Sequence, residues 1–231
     1  MSIGKNMNNR GKTAQLTIEV EQNGIMRAFY PTLIWDEQDV ILVDTGIPGQ
    51  LPAIIHEMES LGVSFDRLTK VIITHHDLDH IGSLPELIGA AKQKIEVISH
   101  ELAKPFIQGE KPLLKANMTV SPVKIDTTVS DGEYLPVCGG ITVIFTPGHT
   151  PDHISLYLEG SKALVAADAT VSEKGSILGP NPHYTLNMGE ALQSLRKFLR
   201  FDIDTLFCYH GGVCTENVRE QIDALTREKT R

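Results

Sequence analysis

Apolar and polar positions alternate in short blocks from the start of the chain. "LTIEV" at 16–20 and "FYPTLIW" at 29–35 are rich in β-branched and aromatic residues and read as strands. "DEQD" at 36–39 breaks them as a turn, and "VILVDTG" at 40–46 reads as a buried strand running into a loop. The period then changes. In "LPAIIHEMESLGV", Ile54, Ile55, Met58 and Leu61 fall at helical spacing, with Gly62 as the stop. "KVIIT" (70–74) is another buried strand, followed by a helix in "GSLPELIGAAK" (82–92), a strand in "IEVIS" (95–99) and a short helix in "ELAKPFIQG" (101–109). Residues 111–140 interrupt their alternation with prolines and glycines, which predicts loops and short strands.

The second half repeats the theme. "ITVIFTPGHT" (141–150) is a strand entering a loop, and residues 154–169 read as a hairpin turning at Glu159, Gly160 and Ser161. Residues 172–187 show no period and predict a long surface loop. "MGEALQSLRKFLRF" (188–201) is amphipathic, with Met188, Leu192, Leu195, Phe198 and Leu199 on one face. "DTLFCYHGG" (204–212) is a last strand, and residues 215–229 close the chain as a helix capped by Thr215. No hinge-like linker interrupts this order, so one α/β domain over residues 1–231 is expected. Several strands end alike, with an apolar run followed at once by Asp44, His75, His149, Asp168 or His210. Loops at one sheet edge can gather such side chains while the strands fix their positions.

Composition narrows the classes. The 231 residues are 41% hydrophobic, enough for a sizeable core. A net charge of −8 argues against nucleic acid or an anionic membrane as partner. No apolar run approaches the ~18 residues of a membrane span, and the polar start "MSIGKNMNNRGKTAQ" lacks the apolar stretch of a secretory signal. Cys138, Cys208 and Cys214 are odd in number and widely spaced, so no disulfide framework is expected and the cytoplasm is the expected compartment.

The candidate chemistry lies in "THHDLDH", which sets His75, His76, Asp77, Asp79 and His80 directly behind a strand. Imidazoles and carboxylates at this density need a cation or protons among them. Neutral imidazole and carboxylate suit zinc, iron or manganese. The plainer reading is a polar capping and turn segment, because aspartate favours loops.

"THHDLDHIG" is followed by "TPGHTPDHISL", "AADA" and "YHGG", and preceded by "VDTG". In this order and spacing, from about Val40 to Gly212, the chain resembles the metallo-β-lactamase superfamily, within it a small bacterial hydrolase-like branch. The resemblance implies a four-layer αββα sandwich with metals at one edge. It implies His75, Asp77 and His149 as ligands of a first ion, Asp79, His80 and His210 as ligands of a second, and Asp168 as the carboxylate between them. Asp44 matches an aspartate that organises the site without binding metal, and Asp79 also holds the attacking water.

One position departs from the family. Its usual motif is His-x-His-x-Asp-His, and here Asp77 stands for the second histidine while His76, between, is expected to point away. The diiron branch, flavodiiron proteins among them, has a glutamate at this position. An oxygen ligand makes iron or manganese more competitive with zinc. Aspartate is shorter, so a single filled site stays open beside the expected pair of divalent ions, zinc foremost and iron or manganese as alternatives.

The implied function is hydrolysis of a small ester, lactone or thioester by a metal-activated hydroxide. The alternatives are an iron-dependent oxidoreductase or dioxygenase on the same fold, or a metal-binding regulatory protein with little turnover. In the quorum-quenching lactonases a tyrosine lies three residues after the bridging aspartate; here the residue is Val171. Glyoxalase II members carry a C-terminal basic set, whereas the basic residues at 215–229 suit a solvated helix face. His183 and Tyr184 are the candidate substrate-loop residues. His153 is expected to support ligands or pack, Cys208 to be buried, His56 and His100 to lie at the surface, and Trp35 in the core or an interface. The expected partner is a small-molecule substrate, with a homodimer as the family habit.

Overall fold

The computed structural model describes residues 11–22 and 24–227. Residues 1–10, which carry most of the polar start, and residues 228–229 of the expected closing helix lie outside the described residues.

The first half contains β1 (Lys12–Gln15), β2 (Ile18–Gln22), β3 (Ile25–Phe29), β4 (Thr32–Trp35), β5 (Val40–Val43), α1 (Leu51–Ser60), β6 (Lys70–Ile73), α2 (Leu78–Ile81), α3 (Leu84–Ala90), β7 (Glu96–His100), α4 (Lys104–Ile107) and β8 (Thr127–Val129). Six of its strands make one sheet in the order β1-β4-β5-β6-β7-β8, parallel from β5 to β8, and β2 and β3 pair as a separate hairpin. The second half contains β9 (Tyr134–Leu135), β10 (Ile141–Phe145), β11 (Ile154–Leu158), β12 (Ala163–Ala167), β13 (Val171–Glu173), β14 (Ser176–Leu178), α5 (Met188–Leu195), β15 (Thr205–Cys208), β16 (Gly212–Cys214) and α6 (Val218–Arg227). Its six-stranded sheet runs β16-β15-β12-β11-β10-β9.

Alternation along the strands builds the layers. Leu33, Leu42, Val71, Ile73 and Val97 share a core with Ile54 and Met58 of α1 and Leu84 and Leu87 of α3. Their neighbours Ile34, Ile41, Val43, Ile72 and Ile98 point the other way and meet Ile141, Val143, Ile154, Leu156 and Phe207 of the second sheet. The far face of that sheet, with Ile144, Tyr157, Leu164 and Leu206, packs on Leu195, Phe198, Val218 and Ile222. The result is helix, sheet, sheet, helix, the four-layer order that the family resemblance implies.

Several expectations shift in detail. "FYPTLIW" is two strands, because Pro31 cannot donate to a ladder; its carbonyl instead accepts from the Leu16 amide at 2.8 Å. The histidine cluster contains the one-turn helix α2. The expected loop at 172–187 contains the hairpin β13-β14, turned by Lys174 and Gly175 at φ 50 and 80. Strands of three residues are too short to display a period. Residues 188–201 are α-helical only to Leu195 and continue as a 3₁₀ turn from Arg196 to Arg200. Thr215 does not cap the last helix, which begins at Val218 behind Asn217, a residue at φ 49. Gly62 is the stop expected for α1, at φ 73, with its amide on Glu59 O at 2.9 Å.

Candidate metal centre

Asp44 leaves β5 at φ 65 and turns its carboxylate under the adjacent strand. Oδ1 accepts the Thr74 amide at 2.8 Å, and Oδ2 accepts the Thr74 hydroxyl at 2.7 Å and Nδ1–H of His80 at 2.8 Å. The Thr74 hydroxyl proton is thereby committed, so the hydroxyl oxygen accepts from His75 Nδ1 at 3.0 Å. Both rings are thus held with Nε2 turned inward. His75 Nε2 faces Asp77 Oδ2 at 3.2 Å, and His80 Nε2 faces Asp168 Oδ1 at 3.4 Å.

The second half brings the rest. His149 follows β10, and its Nε2 lies 3.0 Å from Asp77 Oδ2 and 3.2 Å from Asp168 Oδ2. Gly148 before it has φ 129, and a Cβ there would stand 2.1 Å from the Ala191 amide, so only glycine lets α5 approach this loop. His210 follows β15 and sets Nε2 3.3 Å from Asp79 Oδ2 and 3.4 Å from Asp168 Oδ2. An Ile154 amide bond to Thr74 O, at 2.9 Å, stitches the two halves beside the site.

In each of three sets the ligand atoms lie within 4.8 Å of one another: His75, His80 and Asp168; His75, Asp77 and His149; Asp79, His80 and His210. All seven expected ligands belong to this cluster. Among the described residues, buried Asp77 Oδ1, His80 Nε2 and Asp168 Oδ1 make no hydrogen bond. Buried polar atoms of this kind are normally satisfied. Imidazole lone pairs aimed at carboxylate oxygens fit a cation, and the donor set fits zinc, iron or manganese.

The electrostatics agree. Burial opposes the charge on His80, but Asp168, Asp44 and Asp79 outweigh it and hold the ring protonated well above the usual range. Burial also opposes the charge on His210, which Asp168 and Asp79 push up to about 10. Burial would raise Asp168, yet His210, His80 and His149 hold it far below the ordinary carboxylate range. Asp77 is lowered likewise, against burial, by His75, His149 and Lys115. Unlike His80 and His210, His75 is lowered, by burial and His80 against the pull of Asp77. Protons on His80 and His210 thus take the place a cation would fill.

Around the cluster, His76 points away as expected. Its Nδ1 lies 2.7 Å from Asp152 Oδ1 and its ring stacks on Phe106 at 4.0 Å. His153 supports rather than joins the cluster. Its Nε2 accepts the Asp168 amide at 3.2 Å, and its Nδ1 lies 2.8 Å from the Thr146 hydroxyl. Burial and His149 lower it to about 3, so it is neutral in both roles. Cys208 is buried, His56 is exposed, and Trp35 is partly buried against the first core. His100 is half-buried and stacks on Phe145 at 4.3 Å, rather than lying free on the surface.

A cavity of about 530 Å³ opens over the cluster, walled by Phe29, Ile47, Leu113, Val171 and Tyr184. That size suits a small molecule. Of the two loop candidates, Tyr184 reaches this wall; His183 is exposed and outside it, held through its amide on Asn181 Oδ1.

Two residues escaped sequence reasoning. Tyr209 donates its hydroxyl to Asp79 O at 2.5 Å, receives the Gly46 amide at 3.1 Å, and lies 3.9 Å from the His80 ring. Its place in "YHGG" was the available signal. Lys115, from the loop between α4 and β8, sets Nζ 2.5 Å from Asp77 Oδ2 and 2.8 Å from His149 Nε2. Nothing in the pattern around it marks it out.

A family model for the metallo-beta-lactamase superfamily matches residues 30–210. The chain is 27% identical to the probable metallo-hydrolase YflN of Bacillus subtilis, over 87% of this chain and 86% of that one. It is 33% identical over 142 residues to a hydroxyacylglutathione hydrolase of Idiomarina loihiensis, covering 58% of this chain and 46% of that protein. The fold overlays a metallo-beta-lactamase from Pontibacter korlensis with a TM-score of 0.72 at 17% identity, over 94% of this chain and 96% of that one.

Proposed function

We propose that this chain, which belongs to the metallo-beta-lactamase superfamily, is a metal-dependent hydrolase that cleaves a small ester, lactone or thioester. One observation carries the reading: the Nε2 atoms of His75 and His80 are locked toward Asp77 and Asp168 by hydrogen bonds on the opposite side of each ring. Asp79, His80, His210 and Asp168 would hold one divalent ion, and His75, Asp77 and His149 offer ligands for a second. Zinc, iron and manganese all suit these donors. A bound ion supplies Lewis acidity and a water whose pKa falls to roughly 7.

The chain's own residues do the rest. Asp79 is half-buried and lines the cavity, where its carboxylate can take the proton of the attacking water. Tyr209, by gripping Asp79 O, fixes the backbone that carries this carboxylate. Phe29, Ile47, Leu113 and Val171 give the acyl portion an apolar wall that excludes water. Val171 offers no hydroxyl where the lactonases place a tyrosine, and one relative is named for an acylglutathione, so thioesters head the substrate panel. The three cysteines are free and buried, which supports action in the cytoplasm. Among the described residues no helix is long and apolar enough to cross a membrane.

The test is turnover of a panel of thioesters, lactones and esters by protein loaded with zinc, manganese or ferrous iron. Hydrolysis of at least one class is expected, abolished by chelation. Oxygen uptake on a thiol substrate in its place, or tight product binding with no turnover of any class, overturns the proposal.

A further inference from the structure

We infer that the Lys115 ammonium is a tethered cation seated in the first half of the centre, so that one metal ion resides at Asp79, His80, Asp168 and His210 and none at His75, Asp77 and His149. The inference rests on the metal-binding reading above and refines it.

The geometry is direct. Lys115 Nζ donates to Asp77 Oδ2 at 2.5 Å and to His149 Nε2 at 2.8 Å. Those two acceptors lie 3.0 Å apart, and Asp77 Oδ2 is 3.2 Å from His75 Nε2. An ion bound by these atoms would lie roughly 2.0–2.2 Å from each, in the space that Nζ fills. Like charge and overlap both forbid sharing it.

The lysine is also aimed. Its side chain is only 19% exposed. The preceding Leu113 is buried, with its amide on Met118 O at 2.8 Å and its carbonyl taking the Asn117 amide at 2.9 Å. The Leu114 amide donates to His76 Nε2 at 3.5 Å. His76 is itself clamped between Asp152 and the Phe106 ring. The extra histidine of the cluster is thus a positioning residue for the loop that carries Lys115.

An ammonium has three donors and no acceptor, so it pairs with a carboxylate better than with a neutral imidazole. The one place where the chain departs from the usual histidine motif is the place where Lys115 docks. Thr185 Oγ1 lies 3.5 Å from His149 Nδ1, on the side of the ring that must carry the proton if Nε2 accepts from lysine.

Metal stoichiometry tests this without any assay of turnover. Metal-free protein is titrated with zinc by calorimetry, and the metal retained after desalting is measured by elemental analysis. The native chain should hold one tight ion. Lys115→Met and Lys115→Gln should each hold two, the second at least tenfold tighter than in the native chain. Asp77→His, which replaces the lysine's anchor by a ligand, should also hold two. Circular dichroism identifies the variants that fold. Two ions of similar affinity in the native chain, or folded variants that stay at one, overturn the inference. No tight ion in any of them removes the metal-dependent reading itself.

Discussion

The Nδ1–H of His80 donates to Asp44 Oδ2 across 2.8 Å, and the same oxygen takes the Thr74 hydroxyl that orients His75. One carboxylate behind the cluster therefore fixes the lone pairs of two rings in front of it. Asp44→Asn removes the charge and one acceptor while keeping a residue type that tolerates φ 65. Metal affinity is expected to fall about 10–100-fold with the fold intact, as read by competition with a chelator and by a thermal melt. Unchanged affinity would remove Asp44 from the account.

His80 sits in two of the three convergent ligand sets and is fully buried. His80→Ala should lose metal and hydrolysis together, in elemental analysis and in the assay. Loss of activity with metal content unchanged would mean that this ring is not a ligand.

Metal uptake should release protons. In the absence of an ion, Asp168 and Asp79 push His210 up to about 10 against the effect of burial, so the ring is protonated at neutral pH. A ligand must shed that proton. Apparent affinity should therefore rise with pH until about 10, and calorimetry in buffers of different ionisation enthalpy should show the released proton. The same shift sets the stability of metal-free protein. His210's contribution is complete below its unfolded value, roughly 6.5, and is lost as pH rises through about 10. Thermal melts of metal-free protein should fall over that window; a flat profile would contradict the shift.

Gly148→Ala tests how the second half is assembled. Its Cβ would meet the Ala191 amide at 2.1 Å, and φ 129 strains any side chain. The loop carrying His149 and the start of α5 would have to part, costing about 3 kcal/mol or more. Urea unfolding measures this directly.

Much of the cluster is legible in the chain because side chains just past short apolar strands converge at one sheet edge. Asp44 after β5, His75 after β6, Asp168 after β12 and His210 after β15 all obey that rule. Lys115 obeys no such rule. It lies on a loop without period, 38 residues beyond Asp77, and only the folded path of that loop brings it back. Tyr209 reads as an ordinary strand-end aromatic until its hydroxyl is seen on Asp79 O. His183 and Tyr184 are adjacent on an aperiodic loop, so which one turns inward depends on backbone geometry, and Tyr184 does. Thr215 has the chemistry of a cap, but Asn217 at φ 49 precedes the helix, which begins at Val218.

The most direct measurement is anomalous scattering at the zinc absorption edge from crystals of zinc-loaded protein. A peak is expected about 2.0–2.2 Å from Nε2 of both His80 and His210, against Asp79 and Asp168. Zinc-loaded crystals with no peak among those four side chains would contradict it.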